Sequence, residues 1–142
     1  MTYWVVDANI AVRTALELNE ALERFWERIA REKITPCAPR LWMSETTSAL
    51  RAWLAQKVIT ADEAEQALRS IHRLRVEIID EDEDLCLRAL ELAEKLGQSK
   101  AYDAIYLALA EKLSADFWTA DERLANRARD LNLPWVHGLA EV

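Results

Sequence analysis

Short apolar runs rich in β-branched and aromatic residues alternate along this chain with longer stretches whose apolar positions recur at helical spacing. Tyr3 to Val6 is the first run, a buried strand that stops at Asp7. Ala8 to Leu16 and Glu20 to Arg31 read as helices, with Leu22, Phe25, Trp26 and Ile29 sharing a face of the second. Ile34 to Cys37 is a brief strand closed by Pro36 and Pro39. Leu41 to Gln56 is helical and sets Leu41, Trp42, Glu45, Ala49, Ala52 and Trp53 on one face. Thr60 and Glu63 form a capping box for a helix reaching about Arg73, and Val76 to Ile79 is a third strand. Asp82 to Leu96 is a helix stopped by Gly97. Ser99 opens a helix to about Leu113, Phe117 and Trp118 are a fourth strand, Ala120 to Leu131 is helical, and Trp135 to Val136 is a last strand.

This alternation predicts an α/β fold on a parallel sheet. In such open sheets ligands bind beyond the carboxyl ends of the strands. Asp7, at the end of the first strand, and Asp121, just past the fourth, occupy that position.

With 142 residues, 51% of them hydrophobic, the chain is sized for one globular domain spanning 1–142. Two glycines, three prolines and no repeat leave no sign of a linker. No apolar run reaches membrane-span length, and Asp7 interrupts any signal-peptide core. Cys37 and Cys86 lack metal or redox spacing, so the expectation is a reduced, cytoplasmic protein. A net charge of −7 argues against a generic nucleic-acid coat, which would be basic. It leaves room for an enzyme that reaches phosphates through bound cations.

The candidate chemistry lies in four acids. Asp103 is the one carboxylate in AYDAIYLALA, a run apolar on every side and therefore expected to be buried. With Ser99 as N-cap, Asp103 falls at the fourth helical position, where the helix dipole offers ~0.3–1 kcal/mol, several times less than burying an unpaired charge costs. Glu45 shares a face with Leu41, Trp42, Ala49 and Trp53, although its long side chain can also reach solvent or an arginine. Taken alone, Asp7 is better accounted for by a helix N-cap, and Asp121 by the first turn behind a Thr119–Glu122 capping box. A parallel sheet can nevertheless bring all four to one pocket, where they would repel unless a cation intervened. Hard oxygen ligands suit Mg²⁺ or Mn²⁺, and such a cluster is equipped for phosphodiester hydrolysis.

Other features are expected to be structural: the acid-rich Asp80–Asp84 stretch as a solvated helix start, His72 and His137 as surface or packing residues, and most of the six tryptophans as core. Arg13, Lys100, Arg123 and Arg127 lie near the acids in sequence and are candidates for phosphate contact, against the commoner fate of solvated surface.

The residues together resemble the PIN-domain family, especially VapC toxins of toxin–antitoxin pairs. VVDANI is similar to the family's opening strand, with its first acid at Asp7 and a small polar residue at Asn9. SETTSAL is similar to the second-acid helix, with Glu45, and SKAYDAIYLALAEKLSADFWTADERL to the most specific stretch, with Asp103, Asp121 and the polar Thr119. The resemblance implies a three-layer α/β/α domain with a short central sheet. It also implies a Mg²⁺- or Mn²⁺-dependent endoribonuclease using Asp7, Glu45, Asp103 and Asp121, a homodimer, and a VapB-like antitoxin partner. Competing readings are a non-catalytic PIN-like module that binds RNA or protein, a PIN nuclease outside toxin systems, and a DNA-cutting relative. A haloacid-dehalogenase phosphatase would want an acid where Asn9 stands.

Overall fold

Five strands, β1 (Tyr3–Val6), β2 (Thr35–Pro39), β3 (Glu77–Ile79), β4 (Asp116–Thr119) and β5 (Val136–Gly138), pair in parallel in the order β3-β2-β1-β4-β5. This is a computed structural model, and it describes every residue from Met1 to Val142. The helices are α1 (Ala8–Leu16), α2 (Glu20–Glu32), α3 (Leu41–Ala55), α4 (Ala61–His72), α5 (Glu83–Leu96), α6 (Tyr102–Leu113) and α7 (Glu122–Asp130), with a 3-10 turn at Leu139–Glu141. From β1 the chain moves outward to β2 and β3, then returns to lay β4 and β5 on the other side. The strand order therefore reverses between β1 and β4, and a crevice opens beyond their carboxyl ends.

Alternation along the strands divides the core in two. Val5, Cys37, Phe117 and Val136 face a large apolar cluster with Tyr106, Leu107 and Leu109 of α6 and Leu85 and Leu92 of α5. Trp4, Val6 and Trp118 face the opposite way, against Leu22, Phe25 and Ile29 of α2. The second core is mainly aromatic: Trp4 and Trp118 lie 4.8 Å apart by ring centroid, and Trp4 and Phe25 5.4 Å. The result is the expected three-layer α/β/α arrangement, thin on the α2 side. Helices α1, α3 and α4 pack on one another and carry Glu45 toward the sheet's carboxyl end.

Several boundaries differ from the sequence reading. Strand β2 passes through both prolines instead of ending at Cys37. Strand β3 pairs only with Cys37–Pro39, so Pro36 sits where β2 has a neighbour on one side, a setting that tolerates a missing N–H. The last strand is Val136–Gly138 rather than Trp135–Val136. Ser99 is not an N-cap. Gly97 ends α5 at φ 71°, and the Gln98 N–H turns back to the Ala93 carbonyl at 3.1 Å. That turn occupies the following residues and delays α6 until Tyr102, with Ala101 at its N-cap. Asp103 consequently lies in the first turn, half-buried rather than enclosed, while Ala104 and Tyr106 to Ala110 are buried.

The Thr119–Glu122 capping box does not form either. Asp121 itself caps α7, because Thr119 is still in β4 and its hydroxyl is engaged elsewhere. The Thr60–Glu63 box does form, at 3.1 and 3.0 Å. Acid-rich Asp80–Asp84 is surface structure, with Asp82 capping α5 and pairing with Lys112. His137 stacks on Trp118 and faces Asp116 and Glu141. No helix is long and apolar enough to cross a membrane.

Candidate active site

Asp7 continues β1 by one residue, its N–H donating to the Trp118 carbonyl at 3.0 Å. It stands at the N-cap of α1 in extended backbone, yet its carboxylate forms no capping hydrogen bond. Instead Asp7 Oδ2 accepts from Thr119 Oγ1 at 2.8 Å and from Asn9 Nδ2 at 3.3 Å. Asn9 Nδ2 also donates to Thr119 Oγ1 at 3.2 Å, and Asn9 Oδ1 accepts from the Ala120 N–H at 3.0 Å. Thr119 Oγ1 accepts once more from the Asp121 N–H at 3.0 Å. A hydroxyl has one proton and two lone pairs, so these three bonds use all that Thr119 offers. The network joins the ends of the two central strands and fixes Asp7 in orientation.

The other acids are held separately. Glu45 Oε1 accepts from the Tyr106 hydroxyl at 2.6 Å, a short bond of the kind a charged acceptor makes. Asp103 Oδ2 accepts from Gln98 Nε2 at 2.9 Å. Asp121 Oδ1 accepts the N–H groups of Arg123 and Leu124 at 3.0 and 3.3 Å. In all four carboxylates one oxygen takes the protein's hydrogen bonds and the other is left without one.

Their charges are coupled. Burial, helped by the charges of Asp103 and Glu45, pushes the Asp7 carboxyl up to about 7 against the Thr119 hydrogen bond. Glu45 is raised by burial, against its Tyr106 bond, and by Asp103. Asp103 is raised by burial, against its Gln98 bond, and by Asp121. Repulsion thus links Asp121 to Asp103, and Asp103 to both Glu45 and Asp7. The four acids of the sequence reading, drawn from four separate stretches of chain, are linked pairwise by repulsion, with Asp7 buried and Asp121 exposed.

A cavity of about 510 Å³ is bounded by Glu45 and Asp103, with Gln98, Lys100 and Tyr102 among others, while Asp7 and Asp121 do not line it. Of the four candidate cations only Lys100 lines it. Arg13 and Arg123 are exposed on α1 and α7 without an ion pair. Arg127 turns away to the Leu96 and Lys95 carbonyls, at 3.5 and 3.4 Å, where the C-terminus of α5 attracts positive charge.

Tyr106 and Gln98 are functional neighbours that the sequence reading did not select. Tyr106 carried a signal, since a buried phenol in an apolar helix needs a partner and it stands three residues from Asp103. Gln98 carried none, because its role depends on the turn after Gly97.

No three His, Cys, Asp or Glu side chains stand close enough to enclose a metal ion as they are arranged. The donor set still suits a hard divalent cation: it is all oxygen, and each acid keeps an oxygen uncommitted. Raised carboxyl values mark a site whose negative charge lacks a counter-charge from the protein.

The PIN domain model matches residues 4–130, and the chain belongs to that family. Its fold is similar to VapBC2 from Rickettsia felis bound to a DNA fragment from their promoter, at 16% identity and TM-score 0.69 over 96% of this chain and 98% of that one. It is similar to PAE2754 from Pyrobaculum aerophilum at 20% identity and TM-score 0.67, covering 99% and 91% of the two chains. A third likeness is to Mycobacterium tuberculosis VapC20, a sarcin–ricin-loop-cleaving toxin, at 16% identity and TM-score 0.61, covering 86% and 94%. No curated protein matches the sequence.

Proposed function

We propose that this PIN-domain protein is a Mg²⁺- or Mn²⁺-dependent endoribonuclease and the toxin of a toxin–antitoxin pair acting in the cytoplasm. The observation that carries the proposal is the pattern of the four carboxylates, each with one oxygen restrained by the fold and one uncommitted, linked pairwise by repulsion through Asp103, with Glu45 and Asp103 lining one cavity. Asp7, Glu45, Asp103 and Asp121 would hold the cation. When bound, it lowers the pKa of an attacking water and offsets charge growing on the phosphate oxygens.

The protein's own contribution is orientation. Thr119 and Asn9 restrain Asp7, Tyr106 restrains Glu45, and Gln98 restrains Asp103, and the acids would close the remaining distance when a cation binds, since no three of them stand close enough to enclose one as arranged. Lys100 is placed to meet a phosphate at the cavity mouth.

RNA as substrate draws support from the likeness to VapC20, and an antitoxin partner from the likeness to VapBC2 and to a toxin–antitoxin complex from Klebsiella pneumoniae. A homodimer is supported by the exposed Leu87 and Leu90 of α5, which border an apolar groove with Cys86 and Ile105 that a second copy would cover.

The test is cleavage of single-stranded RNA by the purified protein with Mg²⁺ or Mn²⁺, without cation, and after Asp103→Asn. We expect cation-dependent cleavage that the variant lacks, with the metal-free variant melting no lower than wild type because a half-buried charge has been removed. RNA left intact, or cut equally by Asp103→Asn, contradicts the proposal.

A further inference from the structure

Tyr102 begins α6, one residue before Asp103, and it is the place where an otherwise inward-facing helix presents an aromatic ring to solvent. Its side chain is 51% exposed, whereas Ala104, Tyr106, Leu107, Ala108, Leu109 and Ala110 behind it are buried. The other large exposed apolar side chains, Met1, Leu18, Val58, Leu87 and Leu90, lie elsewhere, and Tyr102 alone borders the cavity that Glu45 and Asp103 share. A single exposed tyrosine needs no explanation in general. This one is distinguished by its company: two repelling carboxylates on one side, and Lys100, a cation with no ion-pair partner, two residues away on the same rim. Its hydroxyl enters no hydrogen bond and its ring no aromatic pair, so the fold makes no evident use of either.

Resting on the nuclease reading above, we propose that Tyr102 is a stacking platform for one unpaired nucleobase of the RNA, with Lys100 taking the adjoining phosphate. The pairing of a flat π-face with a neighbouring cation matches the repeating unit of a single strand, a base and a phosphate. In a chain of net charge −7, attraction between the whole surface and a polyanion is weak, so local contacts must hold the strand near the acids. Stacking serves that purpose without relying on charge. It also selects: a base inside a duplex has both faces covered and must leave its stack before it can use the ring. Tyr102 is therefore a binding residue that favours single strands, loops and bulges over paired RNA.

The experiment is a coupling measurement between Tyr102 and the bases of a short single-stranded oligoribonucleotide. Abasic sites are placed singly along the strand, and Kd is read by fluorescence anisotropy for Tyr102 and for Tyr102→Ala and Tyr102→Phe. An Asp103→Asn background keeps the RNA intact. At one position, removing the base should weaken binding to the Tyr102 protein about ten-fold and have almost no further effect in Tyr102→Ala, while Tyr102→Phe behaves as the parent. In the cleaving protein, Tyr102→Ala should raise KM about ten-fold, with the loss falling on KM rather than kcat, and should narrow the preference for single-stranded over duplex RNA.

Equal loss at every abasic position in both proteins, or no loss at all, overturns the stacking role even if cleavage proceeds. So does a Tyr102→Ala effect confined to binding of a protein partner. Absence of cleavage in the wild type would instead count against the nuclease reading, and the coupling would remain measurable.

Discussion

Thr119 and Asp7 are separated by 112 positions in sequence and joined by a 2.8 Å hydrogen bond at the carboxyl ends of adjacent strands. That bond is the principal favourable interaction available to a carboxylate which burial drives toward its protonated form. It also ties Asp121 to Asp7, since the same hydroxyl accepts the Asp121 N–H. Replacing Thr119 with Val preserves shape and removes both functions. We expect Thr119→Val to lose ~1–3 kcal/mol of stability in urea unfolding. Its rate–pH profile should move toward alkaline pH, because Asp7 becomes harder to ionise. A profile that stays in place would show that Thr119 does not tune Asp7.

Asp7 makes the stability of the metal-free protein depend on pH in a direction opposite to that of a salt-bridged acid. Its carboxyl lies at about 7 in the fold against an ordinary 3.8, so between these values the folded chain keeps a proton that the unfolded chain has released. The native state binds more protons, and stability falls as pH rises through that window. Raised values at Glu45 and Asp103 act in the same sense. Metal-free protein should therefore be more stable at pH 5 than at pH 8, by about 3 kcal/mol from Asp7 as an upper bound, since only the two pH units between 5 and 7 fall in that window. Calorimetric melts across this range check the sign, and Asp7→Asn should flatten the slope. A melting temperature that rises from pH 5 to pH 8 would contradict it.

Asp121 has two jobs that different substitutions separate. Its Oδ1 caps α7, the other oxygen accepts no hydrogen bond, and its charge repels that of Asp103. Asparagine retains a capping oxygen but not the charge, whereas alanine loses both. We expect Asp121→Asn to unfold like wild type while binding Mn²⁺ more weakly, and Asp121→Ala to lose in addition about 1 kcal/mol. Equal Mn²⁺ affinity in wild type and Asp121→Asn would leave Asp121 a helix cap only.

Much of this architecture is written in local pattern. The alternation of short strands with amphipathic helices gives an α/β fold, and Gly97 and the Thr60–Glu63 box mark their boundaries as expected. Glu45 and Asp103 were legible because each stands on an apolar face where a charge is awkward, and Asp7 and Asp121 because they follow strands at the carboxyl end of a parallel sheet. What sequence did not disclose depends on contacts between distant segments. Asp121 was read as a first-turn residue because Thr119 looked like a cap, but the Thr119 hydroxyl is claimed by Asp7 from another strand. The apolar run around Asp103 predicts an enclosed carboxylate, but the turn after Gly97 delays the start of α6 to Tyr102 and leaves Asp103 in its first turn, at the surface of the pocket. Tyr106 looked like core and is core, yet its hydroxyl reaches Glu45 on a helix placed by packing against α1 and α4. The cations near the acids in sequence proved a poor guide to space, because Arg127 serves the end of α5.

The central claim is that Asp7, Glu45, Asp103 and Asp121 form one pocket whose charge a divalent ion neutralises. Isothermal titration of Mn²⁺ into metal-free protein near pH 7, repeated in buffers of different ionisation enthalpy, addresses it directly. Asp7 retains part of its proton at that pH, so uptake should release protons, the observed heat should vary with buffer, and Asp103→Asn should bind far more weakly. No Mn²⁺ uptake, or uptake that Asp103→Asn leaves unchanged, would contradict the account.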